Sequence, residues 1–144
     1  MIVWFTGPRG AGKTTTAEAL QQALGGVVLD GDQMRASMSL DLDFSPRGRH
    51  EHNLRVARLA RELAKQMPVF VSVIAPFAAT REAITAICAP VWVYLKNPSR
   101  LAQPGEVYEE PSEYLTFNTA VTPTTAIVDA LRKQVGGLPW RSSA

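Results

Sequence analysis

The segment that most constrains this chain is the glycine-rich stretch GPRGAGKT at residues 7–14. It fits the phosphate-binding pattern G-x-x-x-x-G-K-[ST] at every defined position. An apolar run, Ile2 to Phe5, precedes the stretch, and a helix-like segment, Lys13 to Leu24, follows it. Strand, loop and helix therefore come in the order that a P-loop requires, which disfavours a glycine-rich turn with a chance lysine. The stretch predicts a site for a nucleoside triphosphate.

The residue types in this loop explain how it would bind phosphate. Glycines let the backbone wrap closely around phosphate oxygens, and the amides that open the following helix point at the anion. We expect Lys13 to bridge the β- and γ-phosphates of ATP and the Thr14 hydroxyl to hold Mg²⁺. The predicted ATP-binding residues are Gly7, Pro8, Arg9, Gly10, Ala11, Gly12, Lys13, Thr14 and Thr15.

The rest of the chain alternates between strand-like and helix-like segments. Strands are predicted over 27–29, 69–74 and 91–95 with an edge strand near 114–117, and helices over 34–40, 49–67, 81–88 and 123–135. Thr122 is the predicted cap of the last helix. This alternation predicts an α/β protein with the three-layer P-loop nucleoside triphosphate hydrolase fold, a mainly parallel sheet with helices on both faces. The length of 144 residues suits one domain over 1–137, with 138–144 as a disordered tail.

Composition narrows the class of partner. The formal net charge of +2 is too close to neutral to argue for nucleic acid or a membrane surface, so we expect a small-molecule partner. The single cysteine, Cys88, cannot form an internal disulfide and is expected to be a buried thiol. The sequence lacks a charged leader and a long unbroken apolar stretch, which predicts a cytoplasmic protein.

A pair of carboxylates at a strand end is predicted to complete the Mg²⁺ site and to position the acceptor hydroxyl. A conventional ATPase carries an acid at the end of its Walker B strand, but the strand over 69–74 ends in Ala75-Pro76. The strand over 27–29 instead ends in Asp30-Gly31-Asp32, at the sheet edge where ligands of parallel sheets bind. One carboxylate can order Mg²⁺ while the other accepts a hydrogen bond from an acceptor hydroxyl, as a small-molecule kinase needs. We assign Asp30 to the metal and Asp32 to the acceptor, with Lys13 as the third catalytic residue; the reverse assignment of the two acids remains open.

These features resemble the adenylylsulfate kinase family, which phosphorylates the 3′-hydroxyl of adenosine 5′-phosphosulfate with ATP. The matching pieces are the P-loop, LDGDxxR at 29–35, DLDFS at 41–45, NLR at 53–55, IAPF at 74–77 with Arg81, and YExP at 108–111. The resemblance implies ATP and Mg²⁺ as cofactors, a small-molecule acceptor and a homodimer. The alternatives are a divergent kinase acting on another hydroxyl acceptor, and a nucleotide-binding module that has lost transfer activity.

The same resemblance implies roles for residues beyond the P-loop. Phe44 would stack on the acceptor's adenine, and Arg49 with Asn53 would bind its phosphosulfate. These roles suit the residue types, because arginine binds phosphate and sulfate oxygens bidentately and an aromatic ring offers a face to a base. The implied acceptor-binding residues are Asp32, Arg35, Phe44, Arg49, Asn53 and Ile74.

The chain departs from the family pattern in helix spacing. Between Phe44 and Asn53 it is one residue longer than the family spacing, so the family's arginine position falls on either Arg49 or His50. His50 and His52 are otherwise expected to be exposed on their helix.

The second departure is the length of the lid. The family has a long basic segment before its YExP motif, with a second aromatic face for adenine, whereas residues 98–107 are all that this chain offers. Arg100 is the only basic residue there. A short lid predicts a more open acceptor site.

Overall fold

The computed structural model describes residues 1–136, which form five parallel strands in one sheet. The strands are β1 (Ile2–Thr6), β2 (Val27–Asp30), β3 (Val69–Ser72), β4 (Val91–Lys96) and β5 (Leu115–Asn118), in the spatial order β2-β3-β1-β4-β5. The helices are α1 (Lys13–Leu24), α2 (Gly31–Met38), α3 (Pro46–Leu63), α4 (Ala78–Cys88) and α5 (Thr124–Val135). All four strand pairings are parallel, so the predicted fold class is confirmed.

Alternate residues of β1 face two separate hydrophobic cores. Trp4 belongs to the core under α3 and α4, while Val3 and Phe5 belong to the core under α1 and α5. All three side chains are fully buried, and each contributes about 1.5–3 kcal/mol by leaving water. The central strand is therefore covered on both faces, and the phosphate loop that follows it has a rigid base.

The start of α3 differs from the predicted boundary. The helix begins at Pro46 rather than Arg49 because Ser45 caps it, accepting a hydrogen bond from the Gly48 amide at 3.1 Å. Proline suits the first turn of a helix, where its missing N–H would have no partner. Gly48 cannot carry a side chain here, because a Cβ would overlap the carbonyl oxygen of Asp43.

The other helix boundaries place Asp30 and correct one prediction. Helix α2 begins directly after β2, and the Asp30 carboxylate caps it by accepting from the Gln33 amide at 3.2 Å. Thr122 is not the cap of α5: the N-cap is Pro123, and no side chain caps the helix there. That prediction is wrong because proline's restricted φ suits the extended conformation that precedes a helix.

The described part of the chain contains no helix long and apolar enough to cross a membrane. Cys88 is half-buried at the end of α4, and burial raises its pKa to about 11, so the thiol stays protonated at neutral pH. The predicted tail, residues 138–144, lies outside the described residues.

Candidate active site

The phosphate loop joins β1 to α1 through glycines in left-handed conformations. Gly10 has φ of 82° and Gly12 has φ of 92°, values at which a side chain is strained. At Gly7 a Cβ would overlap the carbonyl oxygen of Leu95 on the neighbouring strand β4. The loop can therefore lie against the sheet edge with its backbone amides available to an anion.

Lys13 lies at the first position of α1, where it is 8% exposed. Its Nζ donates a hydrogen bond to the carbonyl oxygen of Pro8 at 2.9 Å, across the concave face of the loop. Burial, followed by the charges of Arg100 and Arg9, lowers the pKa of Lys13 to about 8. The loop thus encloses a cation that lacks a full counter-charge, a condition that a polyphosphate would relieve.

Three oxygen-bearing side chains meet beside the loop. The Thr14 hydroxyl donates to Oδ1 of Asp30 at 2.9 Å and lies 2.8 Å from Oγ of Ser72. Because Thr14 already donates to Asp30, its contact with Ser72 is one in which Ser72 donates. Hydroxyl and carboxylate oxygens are the ligands that Mg²⁺ prefers, so this set fits a hard divalent cation.

Ser72 is a site residue that the sequence reasoning missed. The end of β3 lacks the carboxylate of a Walker B strand, and Ser72 brings a hydroxyl to that place. The parallel register of the strands places it there: Ser72 pairs with Asp30 at the end of β2 and with Phe5 near the end of β1.

One cavity of about 630 Å³ extends from the phosphate loop to the N-terminal part of α3. Most of the predicted site residues line it. They are Pro8, Arg9, Gly10, Gly12, Lys13, Thr14, Thr15, Asp30, Asp32, Arg35, Phe44, Arg49, Asn53 and Ile74. Of the predicted ATP-binding residues, Gly7 and Ala11 are buried in the loop and do not line the cavity.

The wall opposite the phosphate loop combines an aromatic ring with two arginines. The Arg35 guanidinium lies 4.5 Å from the centre of the Phe44 ring and donates to the carbonyl oxygens of Leu42 and Asp43. Arg49 donates from Nε to the carbonyl oxygen of Phe44 at 2.9 Å. Phe44 remains 69% exposed, and within residues 1–136 no other aromatic ring pairs with it. We refer to Arg35, Phe44, Arg49 and Asn53 as the acceptor wall.

Asp30 and Asp32 occupy different environments. The Asp30 carboxylate accepts hydrogen bonds from the Thr14 hydroxyl and from the amide of Gln33. Asp32, by contrast, lies in the first turn of α2, where it is exposed and lines the cavity. Within the described range, the Asp32 carboxylate takes part in no hydrogen bond or ion pair. Its oxygens are available to a hydroxyl in the cavity.

The histidines of α3 differ from expectation. His52 is not exposed but 4% accessible, and its Nδ1 lies 2.7 Å from Oγ of Ser39. The expectation failed because α3 turns this position towards α2, where Ser39 provides a polar partner. His50 is half-buried against Thr80 at 2.8 Å and does not line the cavity, whereas Arg49 does.

The short lid segment, residues 98–107, lies over the phosphate loop. Arg100 makes a two-pronged ion pair with Glu106, with both nitrogen–oxygen distances at 3.0 Å. A Cβ on Gly10 would come within 2.9 Å of Arg100 Nε, so the guanidinium packs directly on the loop. Residues 103–108 then complete the cavity lining.

A buried arginine anchors the chain that follows the lid. Arg81, 2% exposed, donates to the carbonyl oxygens of Ala75 and Glu109. Its guanidinium also lies 5.3 Å from the centre of the Tyr108 ring. Ala75 has φ of 48°, a strained value for a residue with a side chain. Arg81 therefore holds together the two segments that border the cavity.

Comparison with known proteins adds a family context. The family model described as adenylylsulphate kinase matches residues 1–109. The adenylyl-sulfate kinase of Deinococcus deserti is 41% identical over 67% of this chain and 58% of its own length. The probable adenylyl-sulfate kinase of Archaeoglobus fulgidus is 41% identical over 56% of each chain. The chain thus spans little more than half the length of these curated relatives.

The fold has close counterparts among solved structures. The APS kinase of Mycobacterium tuberculosis, in complex with AMPPNP and APS, aligns with a TM-score of 0.81 and covers 94% of this chain and 97% of its own. Its sequence identity is 22%, at which the likeness concerns the fold.

Proposed function

The chain belongs to the adenylylsulphate kinase family, and from this premise we propose that it transfers the γ-phosphate of ATP to the 3′-hydroxyl of adenosine 5′-phosphosulfate. The observation that carries the proposal is the shared cavity. A phosphate loop with a buried lysine forms one end, and the acceptor wall forms the other. A direct transfer between two substrates requires this arrangement, because both must be held in line at one place.

The donor end would hold the triphosphate chain. The amides of the loop would face the phosphate oxygens, and Lys13, which donates to the Pro8 carbonyl in the free protein, would donate to the β- and γ-phosphates. Thr14, with Asp30 and Ser72 behind it, would hold Mg²⁺. When bound, Mg²⁺ neutralises charge that develops on the transferring phosphate.

The acceptor end would orient the nucleophile. Phe44 offers a face to adenine, and Arg35 and Arg49 bring positive charge for the phosphosulfate. Asp32 would accept the proton of the 3′-hydroxyl, a role that its unpaired carboxylate supports. Asp30 is already engaged with Thr14, which favours assigning Asp30 to the metal and Asp32 to the acceptor.

The test is ADP release from Mg-ATP with and without adenosine 5′-phosphosulfate. Asp32→Asn should lower acceptor-dependent release about 100-fold or more, the usual contribution of a positioned base. Asp129→Asn is the matched control, because Asp129 is exposed on α5 and away from the cavity. Lys13→Ala should abolish release, since the charge clamp on the transferring phosphate is lost.

The same assay separates the proposal from its alternatives. Release that ignores adenylylsulfate but responds to another hydroxyl compound, such as a sugar or nucleoside, would assign the chain to a different acceptor. Binding of Mg-ATP without ADP release in response to adenylylsulfate or to any other hydroxyl compound tested would indicate a nucleotide-binding module. Because no other aromatic ring within residues 1–136 pairs with Phe44, the identity of the acceptor is the part of the proposal most open to change.

The resemblance also supports a homodimer that works in the cytoplasm. Sedimentation equilibrium of the purified chain would test the dimer, and cell fractionation would test the compartment.

A further inference from the structure

Two buried polar atoms, one in the acceptor wall and one next to it in sequence, have no partner among the described residues. Nε2 of His52 and Oδ1 of Asn53 form no hydrogen bond with any of residues 1–136. His52 is 4% exposed and Asn53 is 2% exposed, and both residues line the cavity. Buried polar groups in native proteins are nearly always satisfied. These two atoms are therefore available to polar groups of a ligand or of an ordered water in the cavity.

The contact with Ser39 determines which nitrogen of His52 carries the proton. Ser39 is 1% exposed, and among the described residues its hydroxyl contacts only Nδ1 of His52, at 2.7 Å. If Nδ1 were protonated, the buried hydroxyl proton of Ser39 would have no acceptor. If Ser39 donates to Nδ1, both groups are satisfied, and the ring proton lies on Nε2. The hydrogen-bond network thus assigns Nε2–H as an unused donor.

The charges around His52 indicate what this donor would bind. Burial, with the charges of Arg35 and Arg55, lowers the pKa of His52 to about 4, so the ring is neutral at physiological pH. Arg35 and Arg49 carry two positive charges along the same side of the cavity. An anionic oxygen is the group that satisfies a free N–H donor and two guanidinium groups together.

We propose that His52 is a further acceptor-binding residue whose Nε2–H donates to an oxygen of the acceptor's phosphosulfate, and that Ser39 is a positioning residue that fixes the tautomer. The proposal rests on the function proposed above and names a further residue of that site. Nε2 is enclosed in the free protein. Contact therefore needs a small side-chain rotation on binding, a common change at binding surfaces.

The first test is nitrogen NMR of the imidazole rings. The chain has two histidines, so the spectrum of the labelled protein contains two rings, and His50→Asn assigns them. We expect His52 as the Nε2–H tautomer in the free protein. Its Nε2 resonance should shift when adenosine 5′-phosphosulfate is added and stay in place with Mg-AMPPNP alone. An Nδ1–H tautomer, or an Nε2 resonance indifferent to the acceptor, would overturn the proposal.

The second test compares two substitutions that differ in where they place an N–H group. His52→Asn keeps a polar group near Ser39 but removes the donor at the Nε2 position, whereas His52→Gln places an amide N–H there. We expect His52→Asn to raise the Kd for adenosine 5′-phosphosulfate about tenfold, as for one lost hydrogen bond to a charged group. His52→Gln should stay within about threefold of the wild type, and neither variant should change the Kd for Mg-ATP.

The control and the outcomes separate this proposal from the proposed function. His50→Asn lies on the same helix, contacts Thr80 and does not line the cavity, so it should bind both ligands normally. A wild type that does not bind adenylylsulfate would refute both proposals. A wild type that binds it while His52→Asn binds equally well would overturn the role of His52 alone. If both variants lost affinity equally for both ligands and melted at lower temperatures, His52 would have a structural role. That result would also overturn the proposal for His52.

Discussion

Lys13 should take up a proton when ATP binds. Its pKa is lowered to about 8 in the free protein by burial and by the charges of Arg100 and Arg9. The triphosphate brings several negative charges against Nζ, which favours the ammonium form and raises the pKa above its free value. A group whose pKa rises on binding gains protons, so the sign of the change is uptake.

The size of this uptake follows from the titration curve. With a free pKa of about 8, roughly half of the lysines lack a proton at pH 8, about one tenth at pH 7 and about nine tenths at pH 9. We therefore expect uptake of about 0.5 proton per ATP at pH 8 and about 0.1 at pH 7. Above pH 8 the apparent Kd for Mg-ATP should rise by up to about tenfold per pH unit.

Calorimetry in buffers of different ionisation enthalpy measures the uptake directly. The slope of the binding enthalpy against buffer ionisation enthalpy equals the number of protons exchanged. Lys13→Arg is the matched control, because arginine keeps the charge but does not titrate in this range. Subtracting its slope removes any contribution from the nucleotide. Equal slopes for wild type and Lys13→Arg at pH 8, or a slope that does not grow from pH 7 to pH 8, would refute the reasoning.

Three further predictions concern neighbours of the site. Ser72→Ala removes the hydroxyl that donates to Thr14, so the Mg²⁺ concentration for half-maximal ATP binding should rise about fivefold; an unchanged Mg²⁺ titration would exclude Ser72 from the metal site. Glu106→Gln breaks the ion pair that holds Arg100 on the phosphate loop, so ADP release without acceptor should increase; a background rate at or below wild type would contradict the role of the lid. Arg81→Met leaves two carbonyl oxygens without their donor and should lower the free energy of unfolding by about 2–4 kcal/mol in urea titrations; a loss under about 0.5 kcal/mol would mean that water replaces the guanidinium.

The fold was predictable because local patterns carried most of it. Glycines and a lysine in this pattern, between a strand and a helix, are typical of a phosphate-binding loop. The apolar runs predicted the bounds of β1 to β4 to within two residues. Parallel strands then required Asp30 and Asp32 to lie at the loop's edge of the sheet. Helix starts were harder to predict, because the Ser45 side chain caps α3 and Pro46 occupies its first turn, and hydrophobic periodicity records neither feature.

The parts of the site that escaped prediction depend on distant contacts. Ser72 is one hydroxyl in an apolar strand, and only strand register brings it to Thr14. His52 resembles its neighbours on a charged helix, and its burial depends on Ser39, which lies 13 residues earlier in the chain. Arg49 and His50 were equivalent by spacing, whereas the helix directs only Arg49 to the cavity.

The anchoring of the lid limits how substrates enter and leave. At one end, the carbonyl oxygen of Lys96 accepts a hydrogen bond from the amide of Thr119. The Thr119 hydroxyl in turn donates to the carbonyl oxygen of Ala11 in the phosphate loop. At the other end, Arg81 holds the carbonyl oxygen of Glu109. Opening is thus confined to about ten residues whose ends stay fixed, and surface loops of this kind move in about nanoseconds to microseconds. Entry and exit of substrates should therefore be limited by loss of the packing of Arg100 on the phosphate loop and by release of bound product, and not by slow movement of domains.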